Sequence, residues 1–316
     1  LIAGTSAAFD GAEVFVRGGD TSSVSAAGGM VVVRAGDGTN TDAAYGGSGG
    51  DVLIQGGSAL GGAVNNEGGS LDLYSGDASV GVGGHIALST GQSVQGSSGF
   101  LELVTGDAGV SGVSGQIGVF SGKSFGDASG AIILSTGEAK DGSAGDINLI
   151  VGSGDDKAGG GVNIAAGRTT AQAQQGGSIT ISGGEGASTQ INDGGDVFIN
   201  GGAARGLSAN DNGGDINLNG GSAYAGYGGN VQLSSGASTS SSSGSVMINS
   251  ANAGISGVSG SIVMQTGTTS NGDSGHVVVN TGDANSGRAG YVSIEVGEGN
   301  SGEAGHVAIT AGQTND

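Results

Sequence analysis

The chain has no cysteine, no proline and no tryptophan, and only five Tyr and six Phe in 316 residues. Without cysteine there are no disulfides and no thiolate metal ligands, and the redox compartment is left open. Without proline, and with 75 glycines that do not fall on every third position, the collagen triple helix is excluded. No run of 18 apolar residues occurs, so no segment reads as a membrane-spanning helix. Basic residues are also scarce. Eight Lys and Arg stand against 28 Asp and Glu, a net charge of −20. Nucleic acids and anionic membranes both call for basic patches, so neither is an expected partner. The chain opens at Leu1 in mid-pattern, without a charged leader, and reads as a fragment of a longer protein.

What the chain has in abundance is repetition. The pattern G-x-[VIL]-x-[VILM]-x-x-G starts nineteen successive units, at Ala12, Gly29, Gly50, Gly69, Gly84, Gly99, Gly115, Gly130, Gly145, Gly160, Gly177, Gly195, Gly214, Gly229, Gly244, Gly260, Gly275, Gly290 and Gly305. The third and fifth positions are always aliphatic or Met, from Val14 and Val16 to Val307 and Ile309. The eighth is Gly except at Ala251. Period-two alternation of Val, Ile and Leu is the pattern of a strand with one buried face. The tenth position stays small, as at Ala78, Ser93, Ala108 and Ser238. One such unit cannot bury its own aliphatic pair, whereas stacked units can. The expected fold is therefore all-β: a single-domain parallel β-solenoid (β-helix) over residues 1–316, with about 15 residues per coil and about 20 coils.

A longer period overlies the short one. Unit lengths from Gly69 run 15, 15, 16, 15, 15, 15, 17, 18, 19, and from Gly214 the series begins again. Nine coils thus form a 145-residue super-repeat, with blocks at residues 1–68 (partial), 69–213 (complete) and 214–316 (partial). GDAGVSGVSG at 106–115 echoes ANAGISGVSG at 251–260, and the opening LIAGTS aligns with LIVGSG at 149–154. Stability of a stack needs only the short period. The second period, roughly 43 Å of stacked strands, points to outward features displayed at fixed intervals, as lateral contacts in a filament require.

Several residues are candidates for those features. Phe15, Val32, Leu53, Phe100, Phe120, Ile133, Phe198, Met247 and Val263 are apolar residues at outward positions, suited to an interface with another chain. Three enlarged coils, starting at Ala12, Gly29 and Gly50, recur at Gly160, Gly177 and Gly195; insertions such as Thr39–Ser48 and Leu207–Asn212 would emerge as loops on one face. Acidic residues gather after the eighth-position Gly. Asp20, Asp37, Asp77, Asp107 and Asp283 are the positions to consider for calcium, although the period and the Asp placement depart from the nine-residue calcium β-roll. A solvated acidic edge that discourages mispairing accounts for them without a metal. No other cofactor is implied.

His276, Tyr291 and His306 occupy equivalent positions on successive coils and form a ladder without an identifiable fourth ligand. Thr90, Thr105, Thr136, Thr266 and Thr281 share the seventh position, a rank that raises ice binding as a distant use. Ser238–Ser243 is a hydroxyl-rich loop suited to O-glycosylation, and no N-x-[ST] sequon occurs. With the basic residues few and dispersed, no catalytic constellation can be assembled, and the expectation is that the chain is not an enzyme.

The segments SSGFLELVTGDAG, SGAIILSTGEA, SGHVVVNTGDANSGRAG and AGHVAITAGQT resemble the Gly/Ser-rich repeat arrays of large cell-surface and appendage proteins of diatoms and related stramenopile algae. That resemblance implies an extracellular structural or adhesive role and transfers no functional residue. The expectation is an extracellular structural protein, a repeat segment of a filament, appendage or matrix fibre that assembles with itself or related chains. The alternative is the stalk of a surface adhesin that binds glycan or mineral, and the third reading is a calcium- or ice-binding β-helix.

Overall fold

The computed structural model describes every residue except 1, 7–9, 189, 191, 209 and 314–316. Leu1 of the LIAGTS segment, Ala209 of the second insertion and Thr314 at the end of AGHVAITAGQT therefore lie outside the described residues. Among the described residues there is no helix and no strand, only irregular segments broken by bends and turns. This overturns the expected parallel β-solenoid. No described residue is buried, and the aliphatic pairs that were to form a dry core face solvent. Third-position side chains are 49–60% exposed, and those at the fifth position 59–90%. The alternation survives only as this shallow gradient.

The chain divides into two units, Leu1–Ile150 and Val151–Asp316. In the first, the glycine that starts each of several coils donates its N–H to the eighth-position glycine before it: Gly29 to Gly19 O (2.7 Å), Gly50 to Gly36 O (2.9 Å), Gly69 to Gly57 O (2.8 Å), Gly84 to Gly76 O (2.9 Å) and Gly99 to Gly91 O (3.0 Å). The second repeats the device with Gly177 to Gly167 O (2.9 Å), Gly195 to Gly184 O (2.9 Å), Gly214 to Gly202 O (2.8 Å), Gly229 to Gly221 O (2.8 Å) and Gly244 to Gly236 O (2.9 Å). Each bond closes a local loop; none joins one coil to the next as a ladder would. Two glycines are needed where the backbones approach. A Cβ on Gly84 would lie 3.1 Å from Gly76 N and 3.2 Å from Ser75 Cβ.

Physical reasons for the missing sheet can be read from the same coils. Two aliphatic side chains in about fifteen small, flexible residues offer little apolar area against the ordering entropy of a Gly-rich chain. Hydroxyl side chains in the return segments also bind their own backbone, an alternative to ladder bonds. Gly96 N–H donates to Ser93 Oγ (2.8 Å), Asp127 N–H to Ser124 Oγ (3.2 Å) and Ser241 N–H to Ser238 Oγ (2.9 Å).

The long period nevertheless persists in the local backbone. Bends at 79–81, 94–96, 110–112 and 125–127 recur at 224–226, 239–241, 255–257 and 270–272, each 145 residues later. In the paired GVSG loops Gly112 has φ +140° and Gly257 φ +142°. Gly112→Val or Gly257→Val places a β-branched residue in that region, at a cost on the order of 1–3 kcal/mol. The expected result is a change in amide chemical shifts confined to the substituted loop, with its 145-residue counterpart unaffected. Equal changes in both loops would contradict their independence.

Candidate association surface

The exposed aliphatic rows are the largest chemical feature that this backbone presents. Seven of the nine interface candidates, Phe15, Val32, Leu53, Ile133, Phe198, Met247 and Val263, stand between the third and fifth positions of their coils. Phe100 precedes the third position and Phe120 follows the fifth. All nine are 66–86% exposed, so the chain's own loops do not cover them. The Phe120 ring lies back over Gly118, where any added Cβ would meet it.

The enlarged coils are better formed than insertion alone would require. In the coil starting at Gly50, Asn66 N–H donates to Ala63 O (3.1 Å); in its partner starting at Gly195, Asp211 N–H donates to Ser208 O (3.1 Å). These are the same positions counted from each coil start. The side chains of Asn66 and Asp211 also lie over Gly61 and Gly206, again equivalent positions, where a Cβ would collide with them. The coils starting at Ala12 and Gly160 match too. Ser23 N–H donates to Thr21 Oγ1 and Ala171 N–H to Thr169 Oγ1, both at 3.2 Å, and Ser25 (φ +62°) and Ala173 (φ +55°) take the left-handed conformation. Different sequences thus reach one loop shape.

The remaining pair, at Gly29 and Gly177, differs in length and at its tip. Thr39–Ser48 holds a side-chain turn in which Asp42 N–H donates to Asn40 Oδ1 (3.0 Å), and Ala44 and Tyr45 N–H donate to Asp42 Oδ1 (2.9 and 2.8 Å). Asn40 Nδ2 donates to Tyr45 O (3.0 Å) and Gly47 N–H to Asn40 O (3.1 Å). The N–H donors of Ala44 and then Tyr45 hold the Asp42 carboxyl below the usual carboxylate range. The turn is therefore intact at neutral pH, persists below the point where an ordinary aspartate protonates, and is released as pH falls through the lowered value. Asp42→Ala should abolish the protection of the Tyr45 amide at every pH, as read by hydrogen exchange.

Charge is organised by the same register. Arg17 pairs with Asp20 through Nη2, at 2.6 Å to Oδ1, and one coil later Arg34 pairs with Asp37 at 2.9 and 2.7 Å. Both pairs join the sixth and ninth positions of their coils. Exposed pairs of this kind contribute on the order of 0–1 kcal/mol, but they occupy two of the carboxylates considered for calcium. Asp77, Asp107 and Asp283 stand exposed in separate coils. Among the described residues, no group of three or more His, Cys, Asp or Glu comes together to hold a metal ion. His276, Tyr291 and His306 are exposed on their separate coils.

The seventh-position threonines turn towards corners. Thr90 Oγ1 donates to Gly99 O (3.1 Å) and Thr281 Oγ1 to Gly290 O (3.5 Å). The described residues enclose no pocket, and none forms a helix long and apolar enough to cross a membrane.

The Arg–Asp pairs and the side chains folded over Gly61 and Gly206 were missed in the sequence. The signal for the pairs was present, since Arg and Asp recur at fixed positions of adjacent coils. Comparison with protein-family models, with curated proteins and with solved structures finds no match to this chain.

Proposed function

We propose that this chain is a repeat segment of an extracellular structural protein, a filament, appendage or matrix fibre, that assembles with copies of itself or related chains through its exposed aliphatic rows. One observation carries the reading. The chain's accessible surface is 31,518 Å² for 29.5 kDa, where a folded monomer of that mass exposes about 11,500 Å². Uncovered apolar surface on that scale is a strong drive to associate, and a stable interface needs only about 1,200–2,000 Å². Two periodicities preserved in sequence and in local backbone suit a side-by-side lattice better than a single binding event. The resemblance to algal surface repeat arrays supports the extracellular placement, and no reaction is assigned.

Electron microscopy and sedimentation of the purified chain test the proposal. Fibres with a regular axial repeat are the expected result. A chain that stays monomeric at all concentrations would favour the adhesin-stalk alternative.

A further inference from the structure

From the paired geometry of the enlarged coils we infer that they set the register between copies: a second copy of this chain lies parallel to the first, staggered by one nine-coil block, with coils 160–213 of one against coils 12–68 of the next. This rests on the assembly reading above and adds the register, which that reading leaves open.

Three observations lead to it. First, the aliphatic rows alone leave register loose, because fifteen of the nineteen unit starts are followed by units that differ little in their third and fifth positions. A slip of one coil sets short loops beside enlarged ones. A slip of a whole block restores every match, since lengths and bends both return after 145 residues.

Second, the loops that would meet are the ones whose geometry is reproduced. The turns Ala63–Asn66 and Ser208–Asp211, and the Thr21 and Thr169 caps, are formed alike in both blocks. A contact surface must keep its shape where a passive insertion need not.

Third, charge favours the stagger over direct superposition. Four of the eight basic residues, Arg17, Arg34, Arg168 and Arg205, fall in the enlarged coils of an otherwise acidic chain. Among the described residues, only Arg17 and Arg34 have carboxylate partners. Arg168 is the ninth residue of its coil, the position of Asp20; Glu185 is the ninth of the following coil, the position of Asp37, beside Arg34. A one-block stagger sets Arg168 with Asp20 and Glu185 with the Arg34 pair. Superposition without stagger would set Arg168 against Arg168. Charge placed this way selects register and suppresses wrong pairings. A staggered contact is also heterologous and does not close, so it propagates along an axis.

Because the chain has no native cysteine, single substitutions report register by disulfide cross-linking. Leu53 and Phe198 are each the fourth residue of equivalent enlarged coils, and Ile133 is the fourth residue of an ordinary one. Mixtures of Leu53→Cys with Phe198→Cys chains should cross-link in about tenfold higher yield than mixtures of Leu53→Cys with Ile133→Cys chains. Shortening all six enlarged loops to the length of residues 77–83 should leave assembly in place and equalise the two yields. Arg168→Glu, which leaves every loop intact, should lower the Leu53–Phe198 yield several-fold.

Equal yields from the two mixtures with native loops, or a preference that survives both loop shortening and Arg168→Glu, would overturn the register while leaving self-assembly standing. A chain that cross-links in no combination and sediments as a monomer would overturn self-assembly itself, and the register with it.

Discussion

Chains carrying Ile132→Ser, Leu134→Ser, Ile147→Ser and Leu149→Ser should remain monomeric at concentrations where the unaltered chain forms fibres. These four side chains hold the third and fifth positions of two adjacent coils and are 49–71% exposed, so their apolar surface is available to a neighbouring chain and stabilises nothing inside this one. Full burial of each against a partner contributes about 1.5–3 kcal/mol. Losing four removes about 6–12 kcal/mol, enough to weaken association by at least four orders of magnitude. Asn148→Ser, at the fourth position between two of the altered residues, serves as the control and should leave assembly unchanged. Sedimentation velocity against concentration decides the matter. If the four-serine chain assembled as readily as the parent, the aliphatic rows would not be the contact.

The second large effect is electrostatic. Copies of a chain with net charge −20 repel one another, and its charged groups are exposed to solvent ions. Raising the ionic strength from about 0.01 M to about 0.15 M shortens the screening length from about 30 Å to about 8 Å. The concentration at which fibres appear should fall by an order of magnitude or more across that range. Lowering the pH towards the isoelectric point of about 4.1 should act in the same direction, because protonation of carboxylates removes the repulsion. The pH effect has an opposing local component, since the Asp42 turn is lost once its carboxyl protonates.

Calcium provides a useful comparison. With Asp20 and Asp37 held by Arg17 and Arg34, calcium and magnesium at matched ionic strength should promote assembly equally. A calcium effect well beyond that of magnesium would point instead to a specific site. Assembly favoured by low salt would contradict the repulsion on which this prediction rests.

Much of the local design was legible before any coordinates. The glycines at the first and eighth positions were read as sites of close backbone approach, and Gly76 with Gly84 or Gly202 with Gly214 make such approaches. The 145-residue echo was read from spacing, and it reappears in the bends and in the matched φ of Gly112 and Gly257. The enlarged coils were identified as a recurring triad, and two of the three pairs share their turn geometry. What misled was the period-two aliphatic pattern. It states which residues would share a face, and it was taken to state that the face is covered.

The amino-acid order by itself determined where the chain bends, where glycine is indispensable, and that every feature returns after nine units. These are local properties, set by φ preferences, short side-chain-to-backbone bonds and the absence of Cβ atoms at the corners. Only the tertiary structure decided what Val31, Ile147 and their equivalents face. Burial depends on whether distant segments meet, and with two aliphatic side chains per unit the balance between hydrophobic gain and ordering entropy is too fine for a pattern to settle. In this chain the loops close on themselves, and the rows are left open to solvent.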